Sequence, residues 1–263
     1  MSDYNCFDVS VDSGVATATL CRPEELNTLN RPFWKELPLL IEDLNVSGDI
    51  RVIVIASTGK HFSAGMDLSV FGSGDGVRGA EVGRVRANLR ASVLHLQETF
   101  NVLERARIPV IAAIQGGCIG GAVDMVTACD IRYTTEDAFF CIQEINIGMT
   151  ADVGTLQRLP KLIPEGICRE LAYTGRRMAA SEAKAVGLVN EVFQDHEALL
   201  EGANGIAHQI ASKSPLAIWG SKEMITYARD HSTADSLDHI ATWQAGMFQP
   251  ADMSEAFNAK DED

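Results

Sequence analysis

The chain has 263 residues, enough for one large domain with a substantial core, or for a domain and a small appendage. Its formal net charge of −14 disfavours nucleic-acid binding, and its 46% apolar and 22% charged residues are ordinary for a globular protein. No run approaches the ~18 apolar residues of a membrane span, no signal-like apolar core follows Met1, and the six cysteines form no CxxC pair; the expectation is a cytoplasmic protein with reduced thiols, no metal site and no membrane partner.

Phe7, Val9 and Val11 alternate with polar residues, Asp12-Ser13-Gly14 supplies a turn, and residues 15–20 resume the strand, so a β-hairpin opens the chain. Residues 32–46 read as a helix with Asn30 as N-cap, which Pro38 should kink or interrupt. The apolar run 51–56 suits a strand buried on both faces of a parallel sheet. A long helical pattern covers 81–107. A second buried strand at 109–114 runs into a glycine loop and an apolar helix to about 129. Residues 131–134, 138–142 and 188–193 are further strand candidates, and beyond Asp195 only amphipathic helices follow, at about 197–212, 215–229 and 233–247. Strands and helices alternate first and helices alone follow, so the fold class is α/β: a core over 1–195 and a helical C-terminal region over 196–263.

Two loops follow the two most apolar strands. One is His61-Phe62-Ser63-Ala64-Gly65-Met66-Asp67-Leu68, the other Gly116-Gly117-Cys118-Ile119-Gly120-Gly121. A glycine turn that opens a helix leaves unpaired N–H groups pointing outward at the positive end of the helix dipole, a seat for an oxygen that gains charge during reaction. No GK[ST] follows, and the GGxxGG spacing is not the GxGxxG of a dinucleotide site. Glycines that merely allow close helix–strand packing remain an equal reading of this loop by itself.

Together, Phe62-Ser63-Ala64-Gly65-Met66-Asp67-Leu68, the run from Pro109 to Asp124 and Ala128-Cys129-Asp130-Ile131-Arg132 resemble the crotonase (enoyl-CoA hydratase/isomerase) superfamily over nearly the whole chain. The resemblance implies a spiral of ββα units with C-terminal helices that make a homotrimer, usually paired into a homohexamer. It implies an acyl-CoA thioester as substrate and partner and no separate cofactor. It also implies an oxyanion hole made by the backbone N–H groups of Met66 and Gly121, with Ala64, Gly65, Asp67, Leu68 and Gly117 at the substrate.

Three acids separate branches of such a family: Asp124 in the first turn of the helix, Glu144, and Asp152. Asp124 and Glu144 match the two glutamates of hydratases, the first shortened by one methylene. Asp152 falls where hydratases carry a small residue, and with Ala151-Asp152-Val153-Gly154-Thr155-Leu156-Gln157-Arg158-Leu159-Pro160-Lys161 it resembles the dienoyl-CoA isomerases. Ala122 departs from a glycine common in that branch. The resemblance implies a shift of a proton from carbon 2 to carbon 6 of a 3,5-dienoyl-CoA, with Glu144 serving carbon 2, Asp152 carbon 6, and Asp124 helping one of them stay protonated. Plainer roles stay open: Asp124 as a dipole-favoured residue, Asp152 as N-cap of a helix starting near 153. Glu144 lies in an apolar stretch, where an unpaired carboxylate is costly, so function or a buried ion pair is expected of it. An enoyl-CoA hydratase, a shorter-range isomerase and a non-catalytic acyl-CoA-binding protein are the alternatives. Arg22 is a candidate for a CoA phosphate or an ordinary surface arginine. The six histidines show no ligand or triad spacing, and the glycine-rich segment 71–83 reads as a loop over the acyl pocket.

Overall fold

The computed structural model describes residues 4–67, 69–72 and 81–258. The strands are β1 (Phe7–Asp12), β2 (Val15–Leu20), β3 (Val52–Ser57), β4 (Val110–Ile114), β5 (Gly117–Ile119), β6 (Ile131–Thr135), β7 (Phe139–Cys141), β8 (Met178–Ala179) and β9 (Glu191–Phe193). The helices are α1 (Arg31–Val46), α2 (Ser69–Gly72), α3 (Val82–Arg105), α4 (Gly121–Thr127), α5 (Thr155–Arg158), α6 (Glu165–Thr174), α7 (Ala180–Ala185), α8 (His196–Ala211), α9 (Pro215–Ala228), α10 (Thr233–Met247) and α11 (Pro250–Asn258). Leu68 and most of the 71–83 segment lie outside the described residues, as does the acidic tail after 258.

The opening hairpin pairs β1 with β2 antiparallel from Phe7↔Leu20 to Asp12↔Val15, and Ser13 and Gly14, both at positive φ, close its two-residue turn. From β2 onward the large sheet is parallel, in the order β1-β2-β3-β4-β6-β9. A smaller sheet, β5-β7-β8, receives the second strand of the β4-β5-α4 and β6-β7 units. The two layers are the ββα repeat expected of the fold.

All six residues of β3 are buried, and alternate residues face different clusters. Ile53 and Ile55 pack with Phe33, Leu37 and Leu103 under α1 and α3. Val52, Val54 and Ala56, with Ile111 and Ala113 of β4, face Leu199, Ala203 and Ala207 of α8, spaced four residues apart on one helix face. Burial on both faces is why these strands read as continuous apolar runs rather than alternating ones. Helix α8 starts at the boundary drawn after residue 195, yet its packing makes it the cover of the large sheet's second face.

Pro38 does not interrupt α1, which runs unbroken from Arg31 to Val46 behind an Asn30 cap on Phe33 N–H. The missing proline N–H orphans the carbonyl of Trp34, and the Thr99 hydroxyl of α3 donates to that oxygen at 3.3 Å. A neighbouring helix therefore supplies the hydrogen bond that the proline removes.

Candidate active site

Three segments converge at the carboxyl ends of strands. Ala64 N–H donates to Leu26 O and Asp67 N–H to Leu29 O, holding 64–67 against the stretch before α1. On its other flank, Ser63 N–H donates to Gly117 O and Ile119 N–H to Ser63 O, which ties the segment to β5. The parallel pair β5 and β7 then delivers Gly120-Gly121 and Gln143-Glu144 side by side, with Gly120 N–H on Cys141 O at 2.9 Å. Ligand sites form where parallel strands end.

Where the 64–67 segment meets the start of α4, the N–H groups of Met66 and Gly121 have no acceptor among the described residues. They are neighbours. A methyl group on Gly121 would lie 3.9 Å from Met66 N, and one on Gly65 would lie 3.5 Å from Gly121 N. Gly65 sits at φ 87°, and a side chain there would press to 2.5 Å of Ile119 O. Glycine is thus what allows the two loops to close on each other. Gly121 opens α4, so its N–H has no intrahelical acceptor either.

A cavity of about 600 Å³ lies against these groups, lined by Ala64, Gly65, Met66, Asp67, Gly120, Gly121, Glu144 and Asp152, with Glu25, Thr28, Gln143, Ile147, Met149 and Val153 completing its walls. Glu144 begins a short 3-10 turn, Glu144–Ile147, directly after β7, and its Oε1 would sit 3.1 Å from a Cβ at Gly120, so glycine there leaves the carboxyl its space. The other oxygen, Oε2, is buried without a hydrogen-bond partner. Burial first, then the charge of Asp124 and that of Asp152, push the Glu144 carboxyl up to about 7. Asp152 is raised as well, through burial, and less deeply so because it is the less enclosed of the two.

Asp124 is fully buried and does not line the cavity. Its Oδ1 accepts the Thr155 N–H at 2.5 Å, while Oδ2 has no partner. Burial raises it to about 6, against the opposing pull of the Thr155 hydrogen bonds and Arg158. The capping role considered for Asp152 belongs instead to Asp124: α5 starts at Thr155, its N-cap is Gly154, and the carboxylate that receives its first N–H comes from 31 residues earlier. Gly117 is buried behind the cavity rather than in it, and its N–H donates to His61 Nδ1 at 2.9 Å. His61, set aside on spacing, thus steadies the glycine loop; burial and the nearby Lys60 and Arg177 charges lower its pKa, in keeping with an acceptor nitrogen. Asp67 lines the cavity by position, but its carboxylate is engaged by Ser69 N–H and the Thr28 hydroxyl, whose hydrogen bonds hold its pKa down. Arg22 donates to Thr28 O. No three His, Cys, Asp or Glu side chains among the described residues are arranged to hold a metal ion.

Residues 10–261 match the family model for enoyl-CoA hydratase/isomerase. The chain belongs to that family. The human mitochondrial Delta(3,5)-Delta(2,4)-dienoyl-CoA isomerase is 45% identical over 255 residues, covering 96% of this chain and 78% of the human one. The peroxisomal enzyme of the same name from Arabidopsis thaliana is 41% identical, covering 99% and 95%. Among solved structures, an enoyl-CoA hydratase from Bacillus anthracis superposes with a TM-score of 0.87 at 31% identity, covering 98% of this chain and 96% of that one. Members of the family thus share this chain's fold along its whole length, and no described helix is long and apolar enough to cross a membrane.

Proposed function

We propose that this family member is a 3,5/2,4-dienoyl-CoA isomerase. The observation that carries the reading is a third acid: Asp152 lines the same cavity as Glu144, beside two backbone N–H groups without acceptors. The relatives that bear this activity in their names span nearly the whole chain, which supports it.

The thioester oxygen accepts from Met66 N–H and Gly121 N–H. As a proton leaves carbon 2 the oxygen gains charge, and each preorganised donor is worth roughly 3–4 kcal/mol at that moment. Carbon 2 gives its proton to Glu144, the dienolate spreads its charge along the conjugated chain, and carbon 6 takes a proton from Asp152. One C–H bond breaks and one forms, and the pair of carboxyls begins and ends with one proton between them. Burial raises both carboxyls, which favours a proton retained by the pair, and the reactive arrangement has the charge on Glu144 and the proton on Asp152. Transfer then leaves the proton on Glu144. Asp124, buried behind Glu144, acts through its charge rather than by contact with substrate.

The C-terminal helices suit the homotrimer or homohexamer of the same proposal. Helix α10 buries none of its residues, and Ile225, Leu237, Phe248 and Met253 are exposed. Light scattering on the purified protein measures the assembly. The relatives are named mitochondrial or peroxisomal, and cell fractionation decides between those compartments and the cytoplasm.

The deciding assay mixes protein with a 3,5-dienoyl-CoA and follows the near-ultraviolet absorbance of the conjugated product, with crotonyl-CoA hydration in parallel. A fast rise with little hydration is expected. Asp152→Asn should abolish isomerisation and keep the fold and CoA binding; full activity in that variant sinks the proposal.

A further inference from the structure

We infer that Gln97 and Arg158 are positioning residues for the carbon-6 proton transfer, because they hold the segment that carries Asp152 from behind. This rests on the isomerase reading above and extends it to residues that touch neither substrate nor the reacting carboxyls.

Residues 148–154 contain no helix or strand, and their backbone N–H bonds, from Gly148 to Ile145 O and from Met149 to Glu144 O, end three residues before Asp152. Two successive carbonyls of the segment are instead held by side chains from one side, and the next, Gly154 O, is the acceptor that opens α5. Gln97 Nε2 of α3 donates to Asp152 O at 2.7 Å. Arg158 Nη1 donates to Val153 O at 3.5 Å, and Arg158 N–H to Gly154 O at 3.0 Å. The guanidinium occupies the space a side chain at Gly154 would need, since a Cβ there would fall 1.8 Å from Nη1. Arg158 is itself fixed: Nε donates to Glu104 Oε2 at 2.8 Å and Nη2 to Asn101 Oδ1 at 2.7 Å, and Arg229 holds the other Glu104 oxygen at 2.7 Å.

The arrangement separates two spaces. Gln97 and Arg158 line a second, larger cavity of about 950 Å³, not the one beside Glu144, and Val153 lines both. The 152–154 segment is therefore a one-chain-thick wall between the site and that cavity, with the carboxyl on one side and its anchors on the other. Such a wall yields when an anchor goes, and a displacement near 1 Å costs about 100-fold in proton-transfer rate. Glu144 hangs from β7 and does not share these anchors. Loss of Gln97 should thus spare carbon 2 and cripple carbon 6.

The experiment incubates a 3,5-dienoyl-CoA in D2O with wild type and with Gln97→Leu, which removes one donor and keeps the bulk. Absorbance reports isomerisation, and mass spectrometry of the recovered substrate reports deuterium at carbon 2. For Gln97→Leu, isomerisation should slow by about 10- to 100-fold with little change in KM. Deuterium in unreacted substrate per product formed should rise by a comparable factor, because with Asp152 out of place the dienolate takes a deuteron back at carbon 2 from a Glu144 that has exchanged with D2O. Arg158→Leu should do the same where it folds, but the decision rests on Gln97→Leu. Isomerisation within twofold of wild type, or an equal loss of isomerisation and exchange, overturns the inference. If wild type itself gives neither product nor deuterium, the isomerase reading fails first and takes this one with it.

Discussion

Asp124→Asn isolates the effect of one buried charge on the catalytic proton. The amide keeps an oxygen for the Thr155 N–H and nearly the same volume, so the 2.5 Å cap on α5 is preserved while the charge is removed. The Glu144 carboxyl stands at about 7 instead of 4.5, with burial as the first cause and the charge of Asp124 as the second. Taking about one pH unit, roughly 1.4 kcal/mol, as the order of magnitude for one nearby buried charge, the sign follows directly. A nearby negative charge makes the proton harder to lose, so removing it lets the proton leave at lower pH. The isomerase needs the one proton that Glu144 and Asp152 share, and its kcat/KM should fall as pH rises through about 7. In Asp124→Asn that alkaline limb should move to about pH 6, which is about a tenfold loss at pH 8 and less than about twofold at pH 5.5. Stopped-flow absorbance with a 3,5-dienoyl-CoA from pH 5 to pH 9 gives both curves. A limb that stays in place or moves to higher pH refutes the argument that Asp124 works through its charge.

Glu144→Gln should stabilise the protein in alkaline but not acid solution. A carboxyl raised from 4.5 to about 7 by folding costs nothing below pH 4.5, an increasing amount between the two values, and about 3 kcal/mol above pH 7. Urea melts should show the gap between variant and wild type widening by about 2 kcal/mol from pH 5 to pH 8, and parallel curves would mean that Glu144 is not desolvated in the native state. Gly65→Ala should lower kcat by about 100-fold or more while the protein stays folded, because the new methyl meets Ile119 O at 2.5 Å and must part the two loops that bear Met66 and Gly121. Unchanged turnover in that variant would remove the paired N–H groups from the mechanism.

Much of the frame could be read from hydrophobic patterning. The runs at β3 and β4 are apolar at every position because both sheet faces are covered, and that pattern survives without knowledge of the covers. Asn30 as a cap and the 233–247 helix were equally local in origin. What escaped was non-local. Pro38 spoke against an unbroken α1, and the hydroxyl that compensates it stands 61 positions later at Thr99. β5 is three residues inside a glycine loop and becomes a strand only because β7 pairs with it. At the site, Met66, Gly121, Glu144 and Asp152 were accessible through motif resemblance and do share one cavity. Gly117 and Asp124 carried the same resemblance, yet both are enclosed behind it. Glu25, Thr28 and Met149 line the walls with no sequence signal to mark them. Gln97 gave none either, since an ordinary glutamine on a long helix gains meaning only when the Asp152 carbonyl arrives against it.

The cover of the large sheet's second face also sets a timetable for synthesis. Val52, Val54, Ile111 and Ala113 leave the ribosome long before Leu199, Ala203 and Ala207 of α8, the residues that bury them. At roughly 5–20 residues per second, the eighty-odd residues between β4 and α8 take about 4–16 s to translate. Throughout that interval the nascent sheet presents a bare apolar face, with its far edge unpaired until β9 joins β6. The sheet can add its strands in chain order but cannot cover its second face until α8 emerges, and the price of putting the closing helix so late is a window in which chaperones and neighbouring nascent chains compete for the surface that α8 will claim.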